Sequence, residues 1–198
     1  MPKLEEAARL QRRQHFVRAA WRCAARKGYR DMTVDDVCTE AGLSKGAFYG
    51  YFEHKQSLLL ALLEDDAKTL DEVIERLGAD NLSGVERLRR FTRRMLERGE
   101  DPAVVQLRAD LWDAVLTEEP VRERFAAAVQ RRRDAVRGWI EAGIEAGELV
   151  DIPANALASL VLALGDGLML HSKLDPSAFR WARIASALDV LFTGLSRS

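Results

Sequence analysis

Apolar residues recur every three or four positions along nearly the whole chain, which is the spacing of amphipathic helices. Prolines at positions 102, 120, 153 and 176 each stand where a new apolar pattern begins, as proline does in a first helical turn. No segment shows the alternating pattern of a strand, so the predicted fold class is all-α. The predicted helices span about 9–27, 34–41, 45–52, 55–77, 83–98, 102–116, 120–146, 153–173 and 177–195.

The second and third predicted helices are short and close together. Thr33 is a good N-cap with Asp36 three residues later, which is close to the capping-box pattern. Gly42 follows the second helix at a position suited to left-handed backbone, and Ser44 can cap the third helix two residues on. Two short helices joined by such a turn form the helix-turn-helix layout.

The third helix is predicted to have an inward and an outward side. Phe48 and Phe52 lie four residues apart and are expected to pack inward. The other faces carry Lys45, Gly46, Tyr49 and Gly50. A cation and a phenol among small residues let a helix approach duplex DNA closely and bond phosphates or base edges. Glycine in an exposed helix costs about 1 kcal/mol against alanine, so stability alone does not explain these glycines.

These residues fall within a longer signature. Gly28-Tyr29, Thr33-Val34, the run from Ala41 to Phe52, and Lys55-Gln56-Ser57-Leu58 together resemble the DNA-binding signature of TetR-family transcriptional regulators. The resemblance implies a nine-helix protein with a three-helix DNA-binding head over residues 1–54 and an effector-binding and dimerisation body over residues 55–198. The stretch 108–174 is also similar to the C-terminal domain of BetI- and AcrR-like members.

The resemblance also implies site residues and a mechanism. The expected DNA contacts are Thr33, Ser44, Lys45, Gly46, Ala47, Tyr49, Tyr51 and Lys55. Two positions depart from the family pattern: Tyr51 replaces the usual histidine, and Cys23-Ala24 replaces a bulky pair. The implied function is that of a repressor, which a small-molecule effector releases from a pseudo-palindromic operator. Whether the chain represses or activates, and which effector it binds, are left open.

The charge distribution agrees with a DNA-binding head, although an uneven solvated surface would look the same. The net charge is -1, yet residues 1–56 carry eleven Lys/Arg against seven Asp/Glu, and the remainder is acidic. A basic N-terminal quarter suggests an anion-binding region. A composition of 47% hydrophobic and 31% charged residues excludes a disordered tail and a disulfide-stapled mini-protein.

The last two predicted helices are candidates for a homodimer interface. Helix 153–173 is apolar nearly all round, and helix 177–195 has both an apolar stripe and a small-residue face. Such helices need burial on two sides, which a second copy can supply as a four-helix interface. The alternative is an ordinary monomer core.

An effector pocket is expected among the helices of the body. The candidate residues are Phe91, Met95, Arg108, Trp112, Trp139, Asp166, Met169 and His171. Any of the aromatic or methionine side chains could instead be plain core. Arg108 and Asp166 need counter-charges if they are buried, and these could be intramolecular or belong to a ligand.

The remaining chemistry gives little support for catalysis, a metal or a cofactor. The three histidines lack a helical partner at metal-binding spacing, and no nucleophile and base can be paired from the sequence. Cys23 and Cys38 could form a redox switch or simply be buried hydrophobes. The longest uncharged run, 152–165, is too short to span a bilayer, so a cytoplasmic protein without membrane contact is expected. A helical interaction module without DNA binding and a helical enzyme remain as alternatives.

Overall fold

The structure is a computed structural model that describes residues 2–197, with side chains described for residues 5–197. Within these residues it forms α1 (Pro2–Asp31), α2 (Val34–Ala41), α3 (Lys45–Tyr49), α4 (Lys55–Ala79), α5 (Gly84–Gly99), α6 (Pro102–Thr117), α7 (Glu119–Glu145), α8 (Ala154–Leu174) and α9 (Trp181–Leu195). Extended pairing in this part of the chain is limited to one isolated bridge between Leu149 and Ser196. The predicted all-α, nine-helix fold is therefore confirmed.

Four predicted helix ends differ from the structure by three residues or more. One is the C-terminal end of α1, which lies at Asp31 rather than near residue 27, beyond a kink at Gly28. α1 begins at Pro2 rather than near residue 9, because residues 5–12 are exposed and form no buried apolar stripe that would mark the start of the helix. α3 ends at Tyr49 rather than 52, since residues 50–52 continue as hydrogen-bonded turns. α9 begins at Trp181 rather than 177, because the side chain of Asp175 accepts hydrogen bonds from Ser177 Oγ and the Ala178 N–H and folds that segment into a turn.

The chain packs as two compact units. The first comprises the chain up to Ala67 together with Pro102–Ala114, so it contains α1–α3, the first half of α4 and most of α6. Its centre is an aromatic cluster in which the Phe16 ring lies 5.5 Å from that of Phe48 and 6.2 Å from that of Phe52. All three rings are fully buried, which fixes α3 and the following turn against α1.

The second unit comprises Lys68–Asp101 and the chain from Val115 onward. Its core is formed by the second half of α4 together with α5, α7, α8 and α9, and Leu88, Phe91 and Ile140 are completely buried there. A side chain at Gly84 would meet the Trp139 carbonyl oxygen at 2.4 Å, so α5 and α7 approach closely there. The functional division at residues 54 and 55 stays a prediction.

α8 is strongly apolar, yet most of its residues are not buried within the structure. An 18-residue window of α8 has a mean hydropathy of 1.3, and only 28% of that window is buried. By length and composition alone the helix could cross a membrane, although the uncharged run in the sequence is short. The two measures differ because the single charged residue Asp166 ends the uncharged run, whereas the mean hydropathy is averaged over all 18 residues of the window. One face of α8 is therefore not covered by residues 5–197.

Candidate nucleic-acid interface

The start of α2 is fixed by a capping box. Thr33 Oγ1 accepts the N–H of Asp36 at 3.2 Å, and the Asp36 carboxylate accepts the N–H of Thr33 at 2.8 Å. Lys27 pairs with the same carboxylate at 2.8 Å, and these bonds together hold the pKa of Asp36 far below its usual range, with the bond from Lys27 contributing most. The predicted cap is confirmed, and it ties α2 to α1 through Lys27.

The turn between α2 and α3 has the geometry that the sequence predicts. Gly42 adopts φ 65° and ψ 31°, the left-handed region that glycine tolerates best. The N–H of Leu43 reaches back to the Cys38 carbonyl oxygen at 3.0 Å and closes the end of α2. Ser44 Oγ then accepts the N–H of Ala47 at 3.1 Å and starts α3. α2, this turn and α3 form a helix-turn-helix.

α3 separates its side chains as predicted. Phe48 is completely buried and packs edge-on against Phe16, whereas Tyr49 is 54% exposed. The Tyr49 ring stands edge-on to Phe48 at 5.4 Å between centroids, so the buried phenylalanine orients the exposed phenol. The outward side of α3 is therefore held rigidly from behind and is open to a partner in front.

The eight residues predicted to contact DNA are all accessible. Five are exposed, namely Thr33, Ser44, Lys45, Gly46 and Tyr49, and three are partly exposed, namely Ala47, Tyr51 and Lys55. All eight belong to the first compact unit. Thr33 and Ser44 are the N-caps of α2 and α3, four more residues lie in α3, Tyr51 lies in the turn after α3, and Lys55 begins α4. None is used to fill the protein's own interior.

The side chain of Lys45 already forms an ion pair within the protein. Its Nζ lies 2.8 Å from an Asp35 carboxylate oxygen, and both side chains are more than half exposed. The bond from Asp35 raises the pKa of the Lys45 ammonium above its usual value, so the group stays charged throughout the physiological range. A phosphate or base edge would therefore compete with Asp35 for this ammonium. This ion pair could not be predicted from the sequence, because it joins two different helices.

Lys55 is held at the first turn of α4. Its Nζ donates to the Arg30 carbonyl oxygen at 3.0 Å and lies 4.5 Å from the centroid of the Tyr29 ring. Burial lowers the pKa of the Lys55 ammonium. A lysine ammonium has three donors, so a DNA phosphate can still be reached from this position.

The residues predicted to contact an effector fall into both compact units. Arg108 and Trp112 belong to the first unit, and the other six belong to the second. Arg108 is buried and its Nη2 lies 2.6 Å from Asp66 Oδ2, so its counter-charge is intramolecular, which was one of the two alternatives. In the second unit Phe91 and Trp139 pack edge-on at 5.9 Å and are both core residues.

The other predicted effector residues differ in their exposure. Met95 and Met169 are buried, Asp166 is half-buried and His171 is exposed. The Met95 Cε atom is only 2.8 Å from where a side chain at Gly165 would begin, so α5 and α8 meet closely at that point. The role of these residues in effector binding stays a prediction.

Thr92 is a candidate that sequence reasoning missed. It lies on α5 next to Phe91, it is 3% exposed, and its hydroxyl has no hydrogen-bond partner within the described part of the chain. A buried hydroxyl without a partner costs free energy, so such a group is often explained by function. A threonine in an amphipathic helix gives no such signal in the sequence.

A cavity of about 260 Å³ lies on the second unit between α4 and α5. It is lined by Val73, Arg76, Leu77, Asp80, Arg90, Arg93, Arg94 and Glu97. None of the predicted effector residues lines this cavity.

The two cysteines are free thiols and both are buried. Burial raises the pKa of each thiol, which keeps both protonated and poorly reactive at neutral pH. Among the described residues no group of three or more His, Cys, Asp or Glu side chains could hold a metal ion.

Comparisons with known proteins agree with this geometry. Residues 16–62 match the family described as bacterial regulatory proteins, tetR family, and residues 84–195 match the BetI-type transcriptional repressor C-terminal region. The chain is 28% identical, over the full length of both proteins, to the HTH-type transcriptional repressor Rv1474c of Mycobacterium tuberculosis.

Solved structures show the same fold. A TetR transcription regulator from Haloarcula marismortui superposes with a TM-score of 0.85 at 19% identity, covering 94% of this chain and 99% of that one. A transcriptional regulator from Saccharomonospora viridis in complex with choline gives a TM-score of 0.80 at 22% identity, with coverages of 94% and 98%. With the second family match alone spanning more than half of the sequence, the chain belongs to the TetR family of bacterial regulatory proteins and is a helix-turn-helix transcriptional regulator with a BetI-type C-terminal region.

Proposed function

We propose that this regulator is a cytoplasmic repressor that places the outward face of α3 in the major groove of its operator. The observation that carries the proposal is the orientation of α3, whose Phe48 is locked in the core while Lys45, Gly46 and Tyr49 face solvent. A helix-turn-helix protein reads DNA with the second of its two helices. The basic charge of the N-terminal quarter supports the same surface.

The roles of the eight residues follow from their free hydrogen-bonding capacity. Ser44 Oγ uses an acceptor position for the cap, so its hydroxyl proton is available to a phosphate. Thr33 already donates its hydroxyl, at 2.7 Å, and its backbone N–H, at 2.8 Å, to Asp36. A phosphate at this point would therefore be bound by the backbone N–H groups of the first turn of α2, which Thr33 caps. Tyr49 and Tyr51 supply phenol groups, Lys45 and Lys55 supply charge, and Gly46 and Ala47 allow close approach.

A homodimer formed through α8 and α9 completes the proposal. Leu160 on α8 is 66% exposed, and Val190 and Leu191 on α9 are 71% and 63% exposed. Both helices pack on α5, and large apolar side chains on them that the described residues leave exposed fit an isologous four-helix contact. Two heads related by a two-fold axis would bind a pseudo-palindromic operator.

The effector is proposed to enter the second unit near α5. Thr92 offers a buried hydroxyl without a partner among the described residues, and Phe91, Met95, Trp139 and Met169 of the same unit offer apolar surface. A neighbour with the same fold is described in complex with choline, which supports a small-molecule site in this architecture. A preference of about 1.4–2.8 kcal/mol for the non-binding state would weaken operator affinity about 10- to 100-fold.

The experiment that tests DNA recognition is selection of bound duplexes from a random pool, followed by titration of the selected site. Lys45→Ala is expected to weaken specific binding about tenfold or more without changing helicity. Lys68→Ala is the matched control, because Lys68 is also an exposed lysine in an ion pair, with Glu72 on α4. Equal affinity of the Lys45 variant and the wild type would refute the assignment of α3, and failure to select any sequence would refute specific recognition.

A further inference from the structure

The end of α1 contains a kink whose geometry requires glycine. Gly28 has φ 78° and ψ 158°, outside the helical region, and the helix continues to Asp31 beyond it. Residues other than glycine rarely adopt a φ of this sign. A side chain at this position would also begin only 3.1 Å from the Asp110 Oδ2 atom of α6. The kink therefore brings the α1 backbone directly against a carboxylate on α6.

Asp110 bonds to this corner with one oxygen and is itself held through the other. Its Oδ2 accepts the backbone N–H of Tyr29 at 2.7 Å, and its Oδ1 accepts from Gln106 Nε2 at 2.9 Å. A hydrogen bond to an ionised acceptor is stronger than one between neutral groups. Gln106 lies one turn earlier on α6, so its hydrogen bond holds the Asp110 carboxylate in the orientation that accepts the Tyr29 N–H.

Tyr29 carries the connection on to α4. Its hydroxyl donates to the Lys55 carbonyl oxygen at 3.1 Å, and its ring faces the Lys55 ammonium. Lys55 is the first residue of α4 and one of the residues proposed to contact DNA. A continuous chain of contacts thus runs from Asp110 through Tyr29 to Lys55, entirely within the first compact unit.

We propose that Asp110 is a positioning residue for DNA recognition, which holds the Gly28–Tyr29 corner from α6 and thereby sets the place where α4 and Lys55 begin. The proposal rests on the proposed function of α3 and Lys55. α6 is one continuous helix from Pro102 to Thr117, and its residues up to Ala114 pack with the head. A shift of α6 then changes operator affinity directly through Asp110, in addition to any effect carried along α4.

The first test compares Asp110→Ala with Asp113→Ala. Asp113 lies three residues further along α6 and pairs with Arg30 at 3.1 Å, but both side chains are largely exposed. Each variant removes one negative charge from the same helix, which by field alone favours binding to a polyanion. We expect Asp113→Ala to bind the selected operator as tightly as the wild type or slightly more tightly. Asp110→Ala is expected to bind at least about fivefold more weakly, which is about 1 kcal/mol.

The conservative variant separates the hydrogen bond from the charge. Asp110→Asn keeps an oxygen that can accept the Tyr29 N–H, so it is expected to recover most of the operator affinity lost in Asp110→Ala. Recovery is not expected from a role that depends on charge alone. If Asp110→Ala binds more tightly, as a charge effect predicts, or if Asp110→Asn is as weak as Asp110→Ala, the proposal is overturned.

Hydrogen–deuterium exchange of the full-length protein tests the link without DNA. Asp110→Ala is expected to speed exchange at least about fivefold in residues 28–31 and 54–58 while leaving α5 unchanged. Unchanged exchange in both segments overturns the proposal.

If Asp110→Ala does not fold, Tyr29→Phe replaces it, because this variant removes only the hydroxyl that holds the Lys55 carbonyl. Faster exchange in residues 54–58 then supports the link and unchanged exchange overturns it. Failure of the wild type to bind DNA would instead refute the proposed function, and the exchange result would still decide the role of Asp110.

Discussion

Replacing Gly46 by alanine separates contact with DNA from folding, because the two effects have opposite signs. A side chain at Gly46 would have Ser44 Oγ as its nearest neighbour at 3.8 Å, which is ordinary van der Waals contact. Gly46 lies within α3 and does not have a positive φ, so its backbone already suits alanine. Alanine is favoured over glycine by up to about 1 kcal/mol in a helix, which raises the Tm of a chain this long by up to about 2–4 °C.

The effect on DNA binding is expected to be a loss. Gly46 is exposed on the outward side of α3, between Lys45 and Ala47, where the helix would come nearest to the base edges. An added methyl group at a close contact forces the helix outward and weakens the neighbouring hydrogen bonds. We expect the operator affinity to fall about tenfold, which is about 1.4 kcal/mol.

Thermal unfolding followed by circular dichroism gives the stability, and fluorescence anisotropy with the selected operator gives the affinity. Gly138→Ala is the matched control, because Gly138 is an exposed helical glycine of α7 with no atom within 4 Å of the added carbon. It should gain stability without any change in operator affinity. If Gly46→Ala gains stability and binds the operator as tightly as the wild type, α3 does not approach DNA at this residue and the proposed orientation is incorrect.

Three further predictions follow from individual contacts. Asp35→Asn frees the Lys45 ammonium from its ion pair and should tighten operator binding about two- to fivefold in an anisotropy titration, whereas weaker binding would show that Asp35 helps to orient Lys45. Thr92→Val removes a buried hydroxyl without a partner, so Tm in a calorimetric scan should stay the same or rise by up to about 2–4 °C, and a lower Tm would mean that the hydroxyl is hydrogen-bonded. Leu160→Glu should weaken the dimer about 100-fold or more in sedimentation equilibrium, and Leu116→Glu, which changes an equally exposed leucine on α6, should not; equal behaviour of the two would argue against the α8 interface.

The helix-turn-helix could be predicted from the sequence because its determinants are local. The cap at Thr33, the left-handed turn at Gly42 and the cap at Ser44 each depend on residues within five positions of one another, and each is present. The inward placement of Phe48 follows from helical spacing in the same way. The helix ends that differ from the prediction lie where local signals are weak or are overridden, as at the turn formed by the Asp175 side chain.

The residues of the candidate site could be predicted from the sequence, but the contacts that these residues make with other helices could not. Which residues are exposed on α3 follows from periodicity, whereas the Lys45–Asp35 pair and the Tyr29–Lys55 contacts join different helices. A sequence read by itself cannot show which of several carboxylates a cation will meet. The same limit applied to Arg108, whose counter-charge could not be assigned until Asp66 was found beside it.

The sequence by itself determined the all-helical class, the two-sided character of α3 and the family, since these depend on periodicity, capping and a short motif. Only the tertiary structure decided that Asp110 of α6 reaches the α1 corner. It also decided that, among the residues that the structure describes, the buried hydroxyl of Thr92 has no partner and the outer face of α8 has no cover. The physical reason is range: caps and turns form between near neighbours in the chain, whereas Tyr29 and Asp110 are 81 residues apart and meet only when the helices pack.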